Sequence, residues 1–321
     1  LTANTTASNN TAVGKNSLSA NTTASDNTAV GSNALTANTT GANNTGLGES
    51  TLRANTTGAS NTAVGFSALT ANTTAANNTA VGTSALTTNT TGTANTGIGV
   101  SALAVNTTGD NNTSVGVNSL VANTTADNNT AVGTSALTAN TTGTSNTALG
   151  STALDACTTG DVNTAVGAGA LGAVTTADAN TAVGQGAGQK ITTGHSNSIL
   201  GRDSATEITT GANNTCAGFE AGQTLTTGTN CLILGTGCEP SGNGADVQIV
   251  LGVGATGTGN GNFTIGNGGT DSNIQLGATS ISAPSDIRLK EDIQDEEVGL
   301  AFIKDLRPVT FLWKKEKDCP S

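Results

Sequence analysis

The sequence predicts an all-β protein, a parallel β-solenoid or β-roll of about fourteen coils with seventeen residues per coil, followed by a β-rich stem and a short α/β C-terminal segment. Three observations carry this expectation. Leu falls at 1, 18, 35, 52, 69, 86, 103, 120, 137, 154 and 171, a spacing of seventeen held without insertion, and three more copies of the unit begin at Gly188, Ala205 and Gly222. The unit, L-x-x-N-T-T-G/A-x-x-N-T-A-V-G-x-x-A, is too short for paired-helix repeats, which need about 33 residues. Its Thr, Asn and Gly content further opposes helix. Composition is the third observation: Gly 43, no Met, no Tyr and one Trp in 321 residues do not describe an ordinary packed core. Charged residues at 10 % and only four Pro, with Leu, Val and Ile recurring on schedule, favour a repeat over a disordered chain. Fourteen coils at ~4.8 Å per rung give a rod on the order of 65 Å long.

Within the coil, the fourth position is Asn in nine copies, Asn4, Asn21, Asn38, Asn55 and on to Asn140, and then Cys157, Val174, Ile191, Ile208 and Leu225. A site that accepts Val, Ile and Leu in the same register faces inward, and Asn there is expected to stack as a ladder, each amide bonding the neighbouring coil. The tenth position, Asn10, Asn27, Asn44 and onward, is Asn in thirteen of fourteen copies, with Cys231 the exception. Alternation of side chains along a strand puts Thr11 and Val13 on one face and Asn10 and Ala12 on the other. The expectation is that Val13, Val30, Leu47, Val64, Val81 and Ile98 stack inward, with the Leu of position one on a second side. The fourteenth position is Gly in every copy (Gly14, Gly31, Gly48 onward), marking a corner that needs φ > 0 or a close backbone approach. Thr at the fifth and sixth positions is expected to place Thr5 on the outer pleat and Thr6 in the core.

N-glycosylation sequons occur at two positions of the unit, the fourth in nine copies and the ninth in six. The one at position four would bury its Asn, so it reads as architectural rather than as a sugar site. The other, at Asn9, Asn43, Asn77, Asn111, Asn128 and Asn213, sits at a position that also takes Asp26, Ser60, Ala94 and Val162, as an exposed turn does. Any glycan is expected there.

The repeat core NTAVGxxAL followed by xxNTTG resembles the head repeats of trimeric autotransporter adhesins, and more closely the seventeen-residue version found in tail-fibre-type proteins. The resemblance covers residues 1 to about 238 and implies a trimer of β-rolls.

Residues 1–238 form the repeat region and 239–284 a Gly-rich stem, with strand signals in VQIVLGVG (247–254), NFTIGNGG (262–269) and NIQLGATSIS (273–282) and with Phe263 and Ile265 on one face. Residues 286–318 then hold sixteen of the 33 charged residues and the only Trp, which marks a separate unit, 285–321. Within it, 298–306 carries apolar residues at helical spacing and 308–313 reads as a strand. Ser285-Asp286-Ile287-Arg288-Leu289-Lys290, with Ile293 and LRPVTFLWK (306–314), resembles the intramolecular chaperone of endosialidase-type tail spikes. The resemblance covers part of that family's domain and implies assistance to trimer folding followed by one self-cleavage. Ser285 would be the nucleophile before the scissile bond, Asp286 the new N-terminus, and Lys290 the base. An adjacent amine of lowered pKa is what a hydroxyl needs to become a nucleophile. The alternative is a charged helix cap in which Asp286 and Arg288 are solvated.

The remaining residues exclude several classes. A net charge of −11 with 11 Lys plus Arg gives no basic stripe for nucleic acid or for anionic membrane surfaces. No apolar run approaches the ~20 residues of a membrane span, and a chain beginning at Leu1 without a basic n-region reads as a fragment or processed chain. His195 is the only His, so neither a His triad nor a multi-His metal site forms within one chain, and the five Cys show no CxxC spacing. Cys216 and Cys231 are two places out of register in adjacent coils, near or beyond disulfide reach. No cofactor and no metal are expected, and no catalysis on an external substrate. A fibre or adhesin shaft on a virion or cell surface is the expected function, with host-surface receptors or glycans as partners. A glycosylated extracellular filament and an ice-binding β-solenoid are the alternatives. The second is weakened because adjacent Thr residues point to opposite faces and leave one exposed Thr per coil.

Overall fold

The structure is a computed structural model that describes residues 2–277. Ser285, Asp286, Lys290 and the expected helix and strand of the C-terminal segment lie outside the described residues. Contacts divide the chain into a unit of residues 1–281 and a second of residues 282–321.

The first unit is a parallel β-solenoid. Its strands are β1 (Thr11–Val13), β2 (Thr28–Val30) and so on in steps of seventeen to β14 (Leu232–Leu234), then β15 (Ile249–Gly252), β16 (Asn262–Gly266) and β17 (Ser272–Gln275). Together they make one sheet of seventeen strands, without helix among the described residues. Each strand pairs in parallel with the next at the same repeat position, Thr11 with Thr28 and Val13 with Val30 at the start, and Leu232 with Ile249 near the end. The seventeen-residue step therefore runs one coil beyond the last recognisable copy of the motif. There Val250 is fully buried and Gly252 repeats the corner of Gly235. β16 follows after a shorter coil, Ile249 pairing with Phe263, and β17 turns back antiparallel, which ends the parallel ladder.

The outer turns of the coil are also laddered. Leu35 N donates to Thr51 O at 2.9 Å and Gly31 N to Val13 O at 2.8 Å, so each corner bonds its neighbouring coil. The corner glycines combine both reasons for being Gly. Gly133 has φ of 140°, and a Cβ there would lie 2.4 Å from the carbonyl oxygen of Gly150. The Leu of position one also adopts a left-handed conformation, 52° at Leu35, so a bulky L-residue sits where glycine is usual. Burial of that side chain, complete in every coil from Leu18 to Leu171, offsets a cost of about 1–2 kcal/mol.

Two expectations about faces are corrected. Asn10 and Ala12 do share a face, but that face is the inside: Ala29, Ala63 and Ala80 are fully buried, whereas Val13 is 57 % and Leu47 47 % exposed. The interior is narrow, and the Leu of position one fills it from the opposite side. A Cβ on Gly97 would already lie 3.3 Å from Leu86 Cγ, so position twelve holds only small residues there and the Val column is forced outward. Thr6 does not fill the core either. From position four to ten the backbone is not a strand, and burial returns every third residue, at Asn38, Gly41 and Asn44. Thr39 is consequently half-buried and Thr40 exposed, and the same holds down the whole pair of columns from the second coil onward.

Candidate functional site

The interior holds polar ladders that are closed to solvent. Asn38 is fully buried, and its Nδ2 donates to Asn21 Oδ1 at 3.0 Å and to the Gly41 carbonyl at 2.9 Å. Asn55 repeats the pattern onto Asn38 at 2.8 Å. At position ten, Asn44 N donates to Asn27 Oδ1 at 2.9 Å while Asn44 Nδ2 donates to the Gly58 carbonyl at 2.8 Å. Both polar atoms of each of these side-chain amides are therefore engaged, as buried amides require. Asn4, in the first coil, is exposed and bonds only within its own turn. The Thr of position five is similarly committed, Thr39 Oγ1 donating to the Thr56 carbonyl at 3.0 Å.

Three outer columns present side chains that these ladders leave available. Position nine is an exposed turn with positive φ in every sequon copy: Asn9, Asn43, Asn77, Asn111, Asn128 and Asn213 lie between 58° and 62°. Asn tolerates that conformation better than most residues. The Thr of position six forms an exposed column of its own. The third column is the outer face of the sheet, where Val, Leu and Ile of position thirteen stand beside the Thr of position eleven. Neither position carries a charged residue in any strand from β1 to β16.

No enzyme-like constellation is assembled among the described residues. His195 is exposed and reaches only Ser196, at 3.3 Å. No group of three His, Cys, Asp or Glu residues could hold a metal ion among the described residues. Cys157, Cys216, Cys231 and Cys238 are free and buried. Burial pushes the Cys157 thiol up to about 11 and the Cys216 thiol to about 12, so both stay protonated and inert at neutral pH. A surface depression lined by Thr152, Asp155, Gln189 and Lys190 carries one ion pair at its edge, Lys190 Nζ to Glu207 at 2.6 Å, and no nucleophile beside a base. Partial burial raises the Asp155 carboxyl above its ordinary range. No helix of the described residues is long and apolar enough to cross a membrane.

The outward apolar column was legible in one signal that alternation alone does not weigh. Position twelve is Ala, Gly or Ser in the first eleven coils, while position thirteen varies among Val, Leu and Ile. A column confined to small residues is the one limited by a narrow interior.

Fold and surface together define a β-solenoid repeat protein with regular, exposed outer columns. Residues 285–320 match the family model described as chaperone of endosialidase (peptidase S74). That segment is thus similar to intramolecular chaperones that cleave themselves, a family found in trimeric fibre proteins. No curated protein matches the chain, and no solved structure does.

Proposed function

We propose that this chain is the shaft or head of a trimeric fibre displayed on a virion or cell surface, where repeated outer columns give multivalent attachment to a receptor or glycan. The observation that carries the reading is the presence in one chain of a fifteen-coil solenoid and a match to the endosialidase chaperone. A long rod built by non-local pairing of many near-identical coils is prone to slipped registers, and a dedicated folding segment answers that difficulty. Once three copies are aligned, contacts that are weak singly add through effective concentration.

In this reading the segment from Ser285 is removed after assembly. Neutral Lys290 takes the proton of the Ser285 hydroxyl and the oxygen attacks the Ser285 carbonyl; the C–N bond to Asp286 breaks as Lys290 passes that proton to the departing amine, and water opens the strained cyclic ester, leaving a carboxylate on Ser285 and Asp286 as a new N-terminus. Intact-mass measurement of the expressed full chain tests this. The expected result is loss of residues 286–321 from the wild type and retention of the full 31.1 kDa in Ser285→Ala. Equal, uncut masses in both would remove the cleavage step, and a monomer in sedimentation would remove the trimer.

One observation favours a second reading, the glycosylated filament: the position-nine sequons stand exposed, Asn43 among them. The same mass spectrum reports it, as added hexose-type mass on peptides containing Asn43 or Asn77. For ice binding the exposed Thr column is only one residue wide, since the hydroxyl of Thr39 is bonded inside the ladder.

A further inference from the structure

Resting on the trimeric reading, we infer that the outer face of the sheet is the seam between copies of this chain, and that the bulk pattern of position thirteen sets their register. Along that column Leu47, Ile98, Leu149 and Leu200 recur every third coil, and they stand 39–57 % exposed. The Val residues between them, such as Val64, Val81 and Val115, are only half-exposed. Between Leu47 and Leu200 the face is therefore stepped, one proud rung followed by two low ones, with a period of about 14 Å from three coils of ~4.8 Å.

Three features select a second and third copy as the occupant. The chain carries a net charge of −11, so two such rods repel except along a surface that, like this one, is free of charge. The face measures about 70 Å by about 10 Å, on the order of 700 Å² per copy, close to the ~800 Å² per partner of a stable interface. A stepped column with this period finds a matching partner in an identical column laid parallel to it. Closed threefold symmetry holds equivalent residues at one level, so proud rungs meet proud rungs and low rungs meet low. A slip of one coil would set Leu149 against Val and open a gap beside the next rung, which close packing penalises.

The test uses the full chain carrying Cys319→Ser, the four described cysteines being buried and free. Chains with Val115→Cys and chains with Val132→Cys are co-expressed, oxidised and mapped by mass spectrometry, and Thr108→Cys on the exposed position-six column serves as the contrast. Val166→Cys with Val183→Cys repeats the design in a second part of the rod. The expected result is same-position disulfides at least tenfold more abundant than links between positions one coil apart, because an axial step of ~4.8 Å strains disulfide geometry. Thr108→Cys is expected not to link. If Thr108→Cys links and Val115→Cys does not, while the wild type sediments as a trimer, the seam lies on another face and the trimeric reading stands. If mixed-position links are as frequent as same-position ones, the register assignment falls. A monomeric wild type overturns both the seam and the trimer.

Discussion

From Asn21 to Asn140 the fourth position of each coil is an amide hydrogen-bonded to its neighbours, whereas from Cys157 to Leu225 the same position is Cys, Val, Ile, Ile and Leu, all fully buried. The backbone path does not change between the two stretches. In the second, other columns change with it: position one shrinks from Leu171 to Gly188, Ala205 and Gly222, and position twelve grows from Ala182 to Ile199, Cys216 and Ile233. A Cβ on Gly188 would lie 2.9 Å from Ile199 Cδ1 and 3.1 Å from Ile191 Cδ1, so the volume removed from one wall is refilled from the other two. The coil is specified by its backbone ladder and corner glycines. The interior tolerates either chemistry provided each is continued from coil to coil. Where the two meet, Asn140 Oδ1 is buried and accepts no hydrogen bond, because its neighbour Cys157 cannot donate as an amide does. An unmade bond of that kind costs about 1–3 kcal/mol.

The comparison breaks most severely when one chemistry is inserted alone into the other. Ile208→Asn places an amide between Ile191 and Leu225, with no ladder neighbour, and should destabilise by about 4 kcal/mol from lost burial and unsatisfied polar atoms. Asn72→Leu, the reciprocal change, leaves Asn55 Oδ1 without its amide donor and takes Asn72 Oδ1 away from Asn89 Nδ2, while the Ala75 carbonyl keeps Asn61 Nδ2, and should cost about 3 kcal/mol. Urea midpoints, with hydrogen exchange to locate the coils that open, measure both. Similar small effects in both variants would show that the two interiors are not distinct.

Next in size is the exchange of volume between walls. Gly188→Leu alone should overpack the coil at about 2 kcal/mol, and adding Ile199→Ala should recover at least half of that in the same urea series. The backbone already accepts Leu in the left-handed conformation at this position in the earlier coils, so the clash is expected to dominate.

Alkaline pH separates the regions without mutation, since the described thiols all lie in the second. Burial raises the folded-state pKa of Cys157 to about 11 and of Cys216 to about 12, above the ordinary 9.0. A raised folded-state pKa means the unfolded chain loses its proton first. The contribution is fully present below pH 9 and is lost as pH rises from 9 through 11 to 12, at roughly 1 kcal/mol per thiol by pH 10. Hydrogen exchange should therefore quicken first between Cys157 and Cys231, with the Asn coils following later.

The smallest expected effect is close to zero. Cys157→Asn supplies a donor to Asn140 Oδ1, with the Gly160 carbonyl, now 3.6 Å from Cys157 Sγ, as the second acceptor, but its own Oδ1 then faces the buried Val174 and takes over as the unmade acceptor. A urea midpoint within about 0.5 kcal/mol of the wild type is expected. A large loss would mean that the interior at this coil is too narrow for the amide.

Much of the solenoid was legible in the sequence because it rests on period and on backbone chemistry. Seventeen-residue spacing, invariant Gly at the corner and a buried Leu column each follow from one-dimensional pattern. Faces were less legible, for two physical reasons. Alternation by two says that Ala29 and Val30 differ in face, but which one is inside depends on how far Leu35 and its equivalents reach across a narrow core. Between Asn38 and Asn44 the chain is not a strand, so burial with period three put Thr40 outside, where alternation put it within. The left-handed φ of Leu35 left no signal, since tertiary burial overrides a local preference. The continuation of the coil through Val250 was hidden because the backbone step persists after the Asn and Thr that advertise it are gone. The outer apolar column is a direct result of that reversed face, so the seam inferred from it was not readable until the interior was known.

The central claim, that this solenoid functions as one of three aligned rods in a surface fibre, is tested most directly by cryo-electron microscopy of the full chain viewed down its axis. The account predicts three solenoid cross-sections around a threefold axis, sheet faces inward, with an axial repeat of about 4.8 Å. A particle with one solenoid in cross-section, or three with their sheet faces turned to solvent, would contradict it.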